Sequence, residues 1–291
     1  MALSLRHIRR RIKSVENTKK MTRAMEMVAA AKLKKLQDLL KQSDRYIGEL
    51  RRILETLVRE KPLAHPLLEK RVEPKSTLAF LITSDTGLCG SYNTNILERA
   101  SQLIRTEAGK TQIFFVSVGK NGAAYLRRTK QTIFQELTIP KPSEIEETIC
   151  KVTQIAKDEF VGGQADRVIF IYTKAASLGS LKPGMEQLFP FDSGNEQEVK
   201  EGKIVDYLIE PSLDQVLDIM LPEFIEAKVG QFVKHSLVSE QASRMMAMRQ
   251  ATDNAKEMID SLTLLRNKAR QASITKELLE VVSGSRALQM K

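Results

Sequence analysis

The stretch Asn17–Lys35, NTKKMTRAMEMVAAAKLKK, decides the fold. It holds neither Gly nor Pro and is rich in Ala, Met and Lys, all strong helix formers, so it reads as helix. Its composition fits no simple location. A solvated surface helix has no use for Met21, Met25, Met27 and Val28, and a core helix would not carry so many lysines. Such a helix has neighbours on more than one side.

Working outward, the chain from Leu3 to about Lys61 contains no Pro and one Gly, Gly48. Alternating steps of four and three from Ile8 give fifteen positions up to Leu57. Eleven are apolar: Ile8, Ile12, Val15, Ala29, Leu33, Leu36, Leu40, Ile47, Leu50, Leu54 and Leu57. That is a coiled-coil stripe. Lys19, Thr22 and Glu26 interrupt it inside the opening stretch, and there the apolar face is expected to move back one residue, to Met21, Met25 and Val28.

The C-terminal end carries a matching pattern. Met248, Ala251, Ala255, Met258, Leu262, Leu265, Ala269 and Ala272 follow one another at alternating spacings of three and four. Half are alanine, which lets two backbones approach closely. The spacing predicts a helix from about Ser212 to Ser283, with Pro222 and Gly230 as points of weakness. Two long stripes at opposite ends of one chain pair most simply with each other, antiparallel.

Between them the character changes. Lys61–Ser76 holds three prolines and reads as a linker. Apolar runs of strand length follow at Thr77–Thr83, Ile113–Val118 and Arg167–Thr173, alternating with helical patterns around Asn95–Thr106, Asn121–Arg128 and Glu144–Phe160. Alternation of this kind implies a parallel sheet covered by helices. Phe191–Lys203 is a polar loop leading to a short strand, IVDYLI. The expected fold is a long antiparallel coiled coil of N- and C-terminal helices with an inserted Rossmann-like α/β domain. Its parts are a shaft helix at 1–61, a linker at 62–76, the α/β domain at 77–211 and a second shaft helix at 212–291.

The formal charge of +10 is uneven: residues 1–61 hold 17 Lys and Arg against 7 Asp and Glu, and the remainder balances. A segment like that suits an acidic partner. Nucleic acid is one such partner, but few aromatics are interleaved as stacking platforms and no nucleic-acid module is present. Cys89 and Cys150 lack metal-ligand spacing, three scattered histidines form no ligand set, and no apolar run approaches the ~20 residues of a membrane span. A reducing, cytosolic compartment is the default expectation.

The loop Ile82–Asn95, ITSDTGLCGSYNTN, sits where an α/β domain binds phosphate, after a strand and before a helix. Neither phosphate signature is present. The alternative is a tight turn in which Gly87 and Gly90 supply unusual backbone angles and Ser91 or Asn93 caps the helix. Asp85 has no second carboxylate or His nearby to make it catalytic, and Cys89 reads as a small buried side chain.

Three separated blocks, Ile8–Leu33, Thr83–Asn95 and Ser239–Leu288, resemble the γ-subunit family of F-type ATP synthases, and Tyr207–Ser212 is similar to that family where its C-terminal helix begins. The resemblance runs end to end. It implies the central-stalk rotor of a rotary motor for ATP synthesis and hydrogen-ion transport, standing inside a hexamer of α and β subunits above the ε subunit and the c-ring. It implies no catalytic residue, no cofactor and no metal in this chain, and membrane association only through the complex, on the cytoplasmic face of a bacterial membrane. Lys19, Lys20, Arg23 and Met25 would face an acidic loop of β, and Arg270, Gln271, Thr275 and Glu277 would bond a second β loop. Ser285 and Arg286 depart from the small, apolar end common in the family. With only Cys89 and Cys150, widely separated, the chain is expected to lack the redox switch of the chloroplast type. The rival readings are a basic coiled-coil nucleic-acid-binding protein and a nucleotide-using enzyme with a helical arm.

Overall fold

The computed structural model describes residues 5–60, 66–68, 74–177, 180–190, 210 and 212–289. The chain order is α1 (Leu5–Glu60), a 3-10 turn (Pro66–Leu68), β1 (Ser76–Ile82), α2 (Tyr92–Thr106), β2 (Gln112–Val118), α3 (Lys120–Arg128), β3 (Thr132–Leu137), α4 (Ile145–Val161), β4 (Arg167–Ser177), β5 (Ser180–Phe189) and α5 (Leu213–Gln289). The expected IVDYLI strand, the loop before it and most of the expected linker lie outside the described residues. Pro222 lies inside α5, which continues past it.

The chain forms two compact units, Met1–Ala29 with Arg244–Lys291, and Ala30–Ser243. In the second, the sheet order is β3-β2-β1-β4-β5. β1 to β4 are parallel, each neighbour reached by a helical crossover, but β5 runs antiparallel to β4. The expectation of a wholly parallel sheet is corrected here, and β3 and β5 are strands the apolar runs did not signal. Both are edges. β3 reads TIFQEL with mostly exposed positions and β5 carries Pro183 and Gly184, so neither has the continuous apolar run of a strand buried on both faces.

One sheet face buries Ala79, Leu81, Phe115, Ile169 and Ile171 against Tyr92, Ile96, Ala100 and Leu103 of α2 and Leu126 of α3. On the other, Phe80 stacks on Phe170 at 4.5 Å, Phe170 meets Phe232 of α5 at 4.8 Å, and Phe160 of α4 stacks on Phe189 at 4.9 Å. The first half of α5 is therefore a layer of the α/β fold. Its sequence says so: residues 229–243 are buried or half-buried throughout, as a helix covered on two sides must be. The second cover is α1, whose Ile47, Leu50 and Leu54 pack with Leu217, Met220 and Phe224.

In the other unit α1 and α5 meet along one seam. The strict row from Ile8 is the buried one and it does not move: Thr22 is 8% exposed, with Lys19 and Glu26 half-buried, while Met21, Met25, Val28 and Met27 (64%) face outward. The expected shift to Met21, Met25 and Val28 is corrected. Thr22 stays on the seam because its hydroxyl donates to the Lys19 carbonyl and accepts from Thr252 Oγ1 at 2.8 Å, so the buried oxygen is satisfied. On α5 the seam row runs Met248, Thr252 and Ala255, all buried, then Ile259, Leu262, Arg266, Ala269 and Ser273, all half-buried. Ala251 is half-buried, but Met258, Leu265 and Ala272 lie exposed, one residue off the row. Thr252, Ile259, Arg266 and Ser273, three of them polar, occupy the positions those four residues were expected to fill.

Candidate functional site

The loop after β1 spends its polar groups inside the domain. Asp85 Oδ1 accepts the Lys120 backbone N–H at 2.9 Å and Thr83 Oγ1 accepts that of Gly122 at 2.8 Å. These are the first-turn donors of α3 that a phosphate would need, and they are taken. Gly119 and Gly122 allow the fit, since a Cβ on Gly119 would collide with the Thr83 carbonyl and one on Gly122 would meet Ser117 and Thr83 hydroxyls within 3 Å. Ser91 is the N-cap residue of α2 without a side-chain cap bond. Asn93 instead accepts from the Ser84 N–H at 3.0 Å and donates to its hydroxyl at 2.7 Å. The left-handed positions are Leu88 and Gly90, not Gly87. Cys89 is buried, and its carbonyl accepts the Ser243 hydroxyl of α5 at 2.6 Å. The loop is a tight turn that docks α5.

The expected partner-contact residues fall on two stretches. At 100° per residue, Arg23 and Lys20 lie on one flank of the α1 seam, Met25 on the opposite flank, and Lys19 on the seam itself, half-buried. The four do not form one patch. Arg23 is already engaged, its Nη1 donating to Glu26 Oε2 at 2.8 Å with the arginine side chain 62% exposed. Arg270 and Glu277, seven residues apart, share one face of α5, with Gln271 and Thr275 together on the next. All four are exposed; Thr275 Oγ1 donates to the Gln271 carbonyl and Glu277 accepts from Ser273.

The length of the seam explains why. Thr22 faces Thr252, and Leu5 precedes Thr22 by as many residues as Ala269 follows Thr252. With equal rise in two antiparallel helices, α1 ends opposite Ala269. From Arg270 to Ser285 every residue except Ser273 is exposed, Ile274, Leu278, Leu279, Val281 and Val282 among them. Five large apolar side chains on one exposed helix end form a patch of the kind that marks interaction sites in general. Among the described residues no three His, Cys, Asp or Glu are grouped to hold a metal, and no helix is long and apolar enough to cross a membrane.

The sequence matches the ATP synthase family over residues 4–288. The ATP synthase gamma chain of Dehalococcoides mccartyi (strain CBDB1) is 40% identical over 98% of this chain and 99% of its own length. This chain belongs to the ATP synthase gamma-chain family. The gamma chain of Nitrosomonas eutropha is 38% identical with the same coverage. Fold agrees: a chain of the Euglena gracilis mitochondrial ATP synthase (OSCP/F1/c-ring) superposes with a TM-score of 0.67 over 98% of this chain and 94% of that one, at 19% identity. A chain of the Tetrahymena thermophila mitochondrial ATP synthase central stalk and c-ring gives 0.55, covering 79% and 99%, at 23% identity. Members of that family are gamma chains of ATP synthase, and the solved neighbours share its fold. The nucleic-acid reading gains no support from these relatives.

Residue-level reading of the gamma chain missed two features. The Thr22–Thr252 pair was legible as a polar residue on an otherwise apolar row, a signal taken for a break. The contact of His235 with Asp44, described below, had no signal, because nothing in sequence brings those positions together.

Proposed function

We propose that this chain is the rotor shaft of its ATP synthase, transmitting torque between an ion-driven c-ring and the catalytic β subunits of an α–β hexamer, at the cytoplasmic face of a bacterial membrane. The division into shaft helices at 1–61 and 212–291, a linker at 62–76 and an α/β domain at 77–211 belongs to the same reading. ε is the expected neighbour of the α/β domain. The observation that carries the proposal is the uncovered end of α5 beyond Ala269, an apolar helix tip that wants a sleeve. Lys20 and Arg23 engage an acidic surface of β as it sweeps past. An exposed pair is worth only ~0–1 kcal/mol, which suits a contact broken at every step. Arg270, Gln271, Thr275 and Glu277 bond a second β loop, their exposed side chains being ready to do so.

The test is reconstitution of the purified chain with an α–β hexamer lacking its shaft, a bead attached and ATP supplied. Unidirectional rotation in three main steps supports the proposal; failure to form a complex with a matched hexamer overturns it. Arg23→Glu is expected to lower torque and Gln271→Leu to impair coupled ATP synthesis. Variants that rotate and couple like the parent would remove those residues from the contact.

A further inference from the structure

His235 of α5 is buried, 4% exposed, where α5 lies between α1 and the sheet. Its Nδ1 is buried without a hydrogen-bond partner. Its Nε2 lies 3.7 Å from Asp44 Oδ1 of α1, beyond hydrogen-bond length, and that oxygen already accepts from Gln231 Nε2 at 2.7 Å. The ring rests 6.3 Å from that of Tyr172 on β4. We propose that His235 is a proton-responsive joint: neutral, it lets α1 and α5 close over the sheet; protonated, its buried Nδ1–H has no acceptor in that packing, and the layers part at this point to let water reach it.

Every charged group facing the ring enters the balance. Burial opposes the charged form first; Asp44 on α1 and Glu186 on β5 favour it, and Lys174 on β4 and Lys228 on α5 oppose it. The outcome is a histidine held below its usual value of 6.5. Lys228 is itself tied to Glu186 at 2.5 Å, and Tyr172 donates to the same carboxylate at 2.7 Å, so Glu186 is already matched by two partners. Asp44, 42% exposed, holds only a neutral amide donor, Gln231, and can take a charged one. An imidazolium that needs two acceptors finds none for Nδ1 in the closed packing and gains by turning toward Asp44 and water. Because the folded value is depressed, the unfolded chain binds more protons as pH falls below about 6.5, and stability contributed by neutral His235 is lost in that window.

The test uses the full chain with ¹⁵N-labelled histidine, followed by NMR from pH 8 to 4.5, with His235→Gln assigning the signal. The expected result is a His235 midpoint below 6.5, moved lower still in Asp44→Asn, and a melting temperature that falls more steeply with acid in the parent than in His235→Gln. A midpoint at or above 6.5 overturns the proposal, and so does an equal acid slope in parent and variant. Should His235→Gln fail to fold, the midpoint in the parent and its displacement by Asp44→Asn still decide.

Discussion

In the Ala30–Ser243 unit the largest apolar side chains are the best hidden: Phe80, Phe115, Phe160, Phe170, Phe189 and Phe232 are all essentially inaccessible. In the unit of Met1–Ala29 and Arg244–Lys291 only one row, Ile8, Ile12 and Met248 among it, is hidden in that way. Met21, Met27, Val28, Leu264, Leu278 and Val281 are each more than half exposed, while Thr22 and Thr252 sit buried on the seam. Both units obey the same physics with different supplies of neighbours. A sheet with helices on both faces gives most of its large apolar side chains a place to go, Phe134 on an edge strand and Ile219 being among the exposed exceptions. Two lone helices offer one narrow seam, so a second apolar row is left for another chain to cover.

The sharpest way to break this comparison is to truncate one large side chain in each unit. Phe170→Ala removes a ring that touches both Phe80 and Phe232, and is expected to cost about 3–5 kcal/mol in the denaturant unfolding of the full chain. A cost below 1 kcal/mol would mean the aromatic face is loosely packed. Next is the seam. Thr22→Val breaks the pair but leaves the Thr252 hydroxyl its own Met248 carbonyl at 2.8 Å, and is expected to cost about 0.5–1.5 kcal/mol. Adding Thr252→Val is expected to cost less than Thr252→Val in the parent, because the pair is already broken. Additive losses would show that the two hydroxyls do not act as a pair. Smallest is Met27→Ala on the outer face, expected to change the stability of the free chain by no more than about 0.5 kcal/mol. The same variant in the assembled enzyme is where an effect on rotation is expected, and a large stability change in the free chain would place Met27 inside a core the seam does not provide.

Legibility followed the same division. β1, β2 and β4 were read from their apolar runs because a strand buried on both faces must be apolar at nearly every position. β3 and β5 were missed because an edge strand has no such requirement. On α1 the strict row from Ile8 was right at its polar members as well. Counting only apolar residues turned Thr22 into a break. On α5 both possible rows share Met248, Ala255, Leu262 and Ala269, and the all-apolar row chose Met258 and Leu265 over the half-buried Ile259 and Arg266. Asp85 looked like an isolated carboxylate until Lys120 was brought beside it, where it is a cap.

By itself the sequence determined that two long helices stand at the ends of the chain with an α/β domain between, because the periods of 3.6 and 2 and the punctuation by Gly and Pro are local and survive in one dimension. It also determined that the surplus charge lies on the first helix. Only the tertiary structure decided which of two adjacent rows faces the partner helix, since neighbouring rows differ by 100° of rotation and a single hydroxyl pair can choose between them. Only it decided that α5 is half coiled coil and half sheet cover, and that His235 meets Asp44 across 191 positions of chain. Those are long-range contacts, and they exist only once the chain has closed on itself.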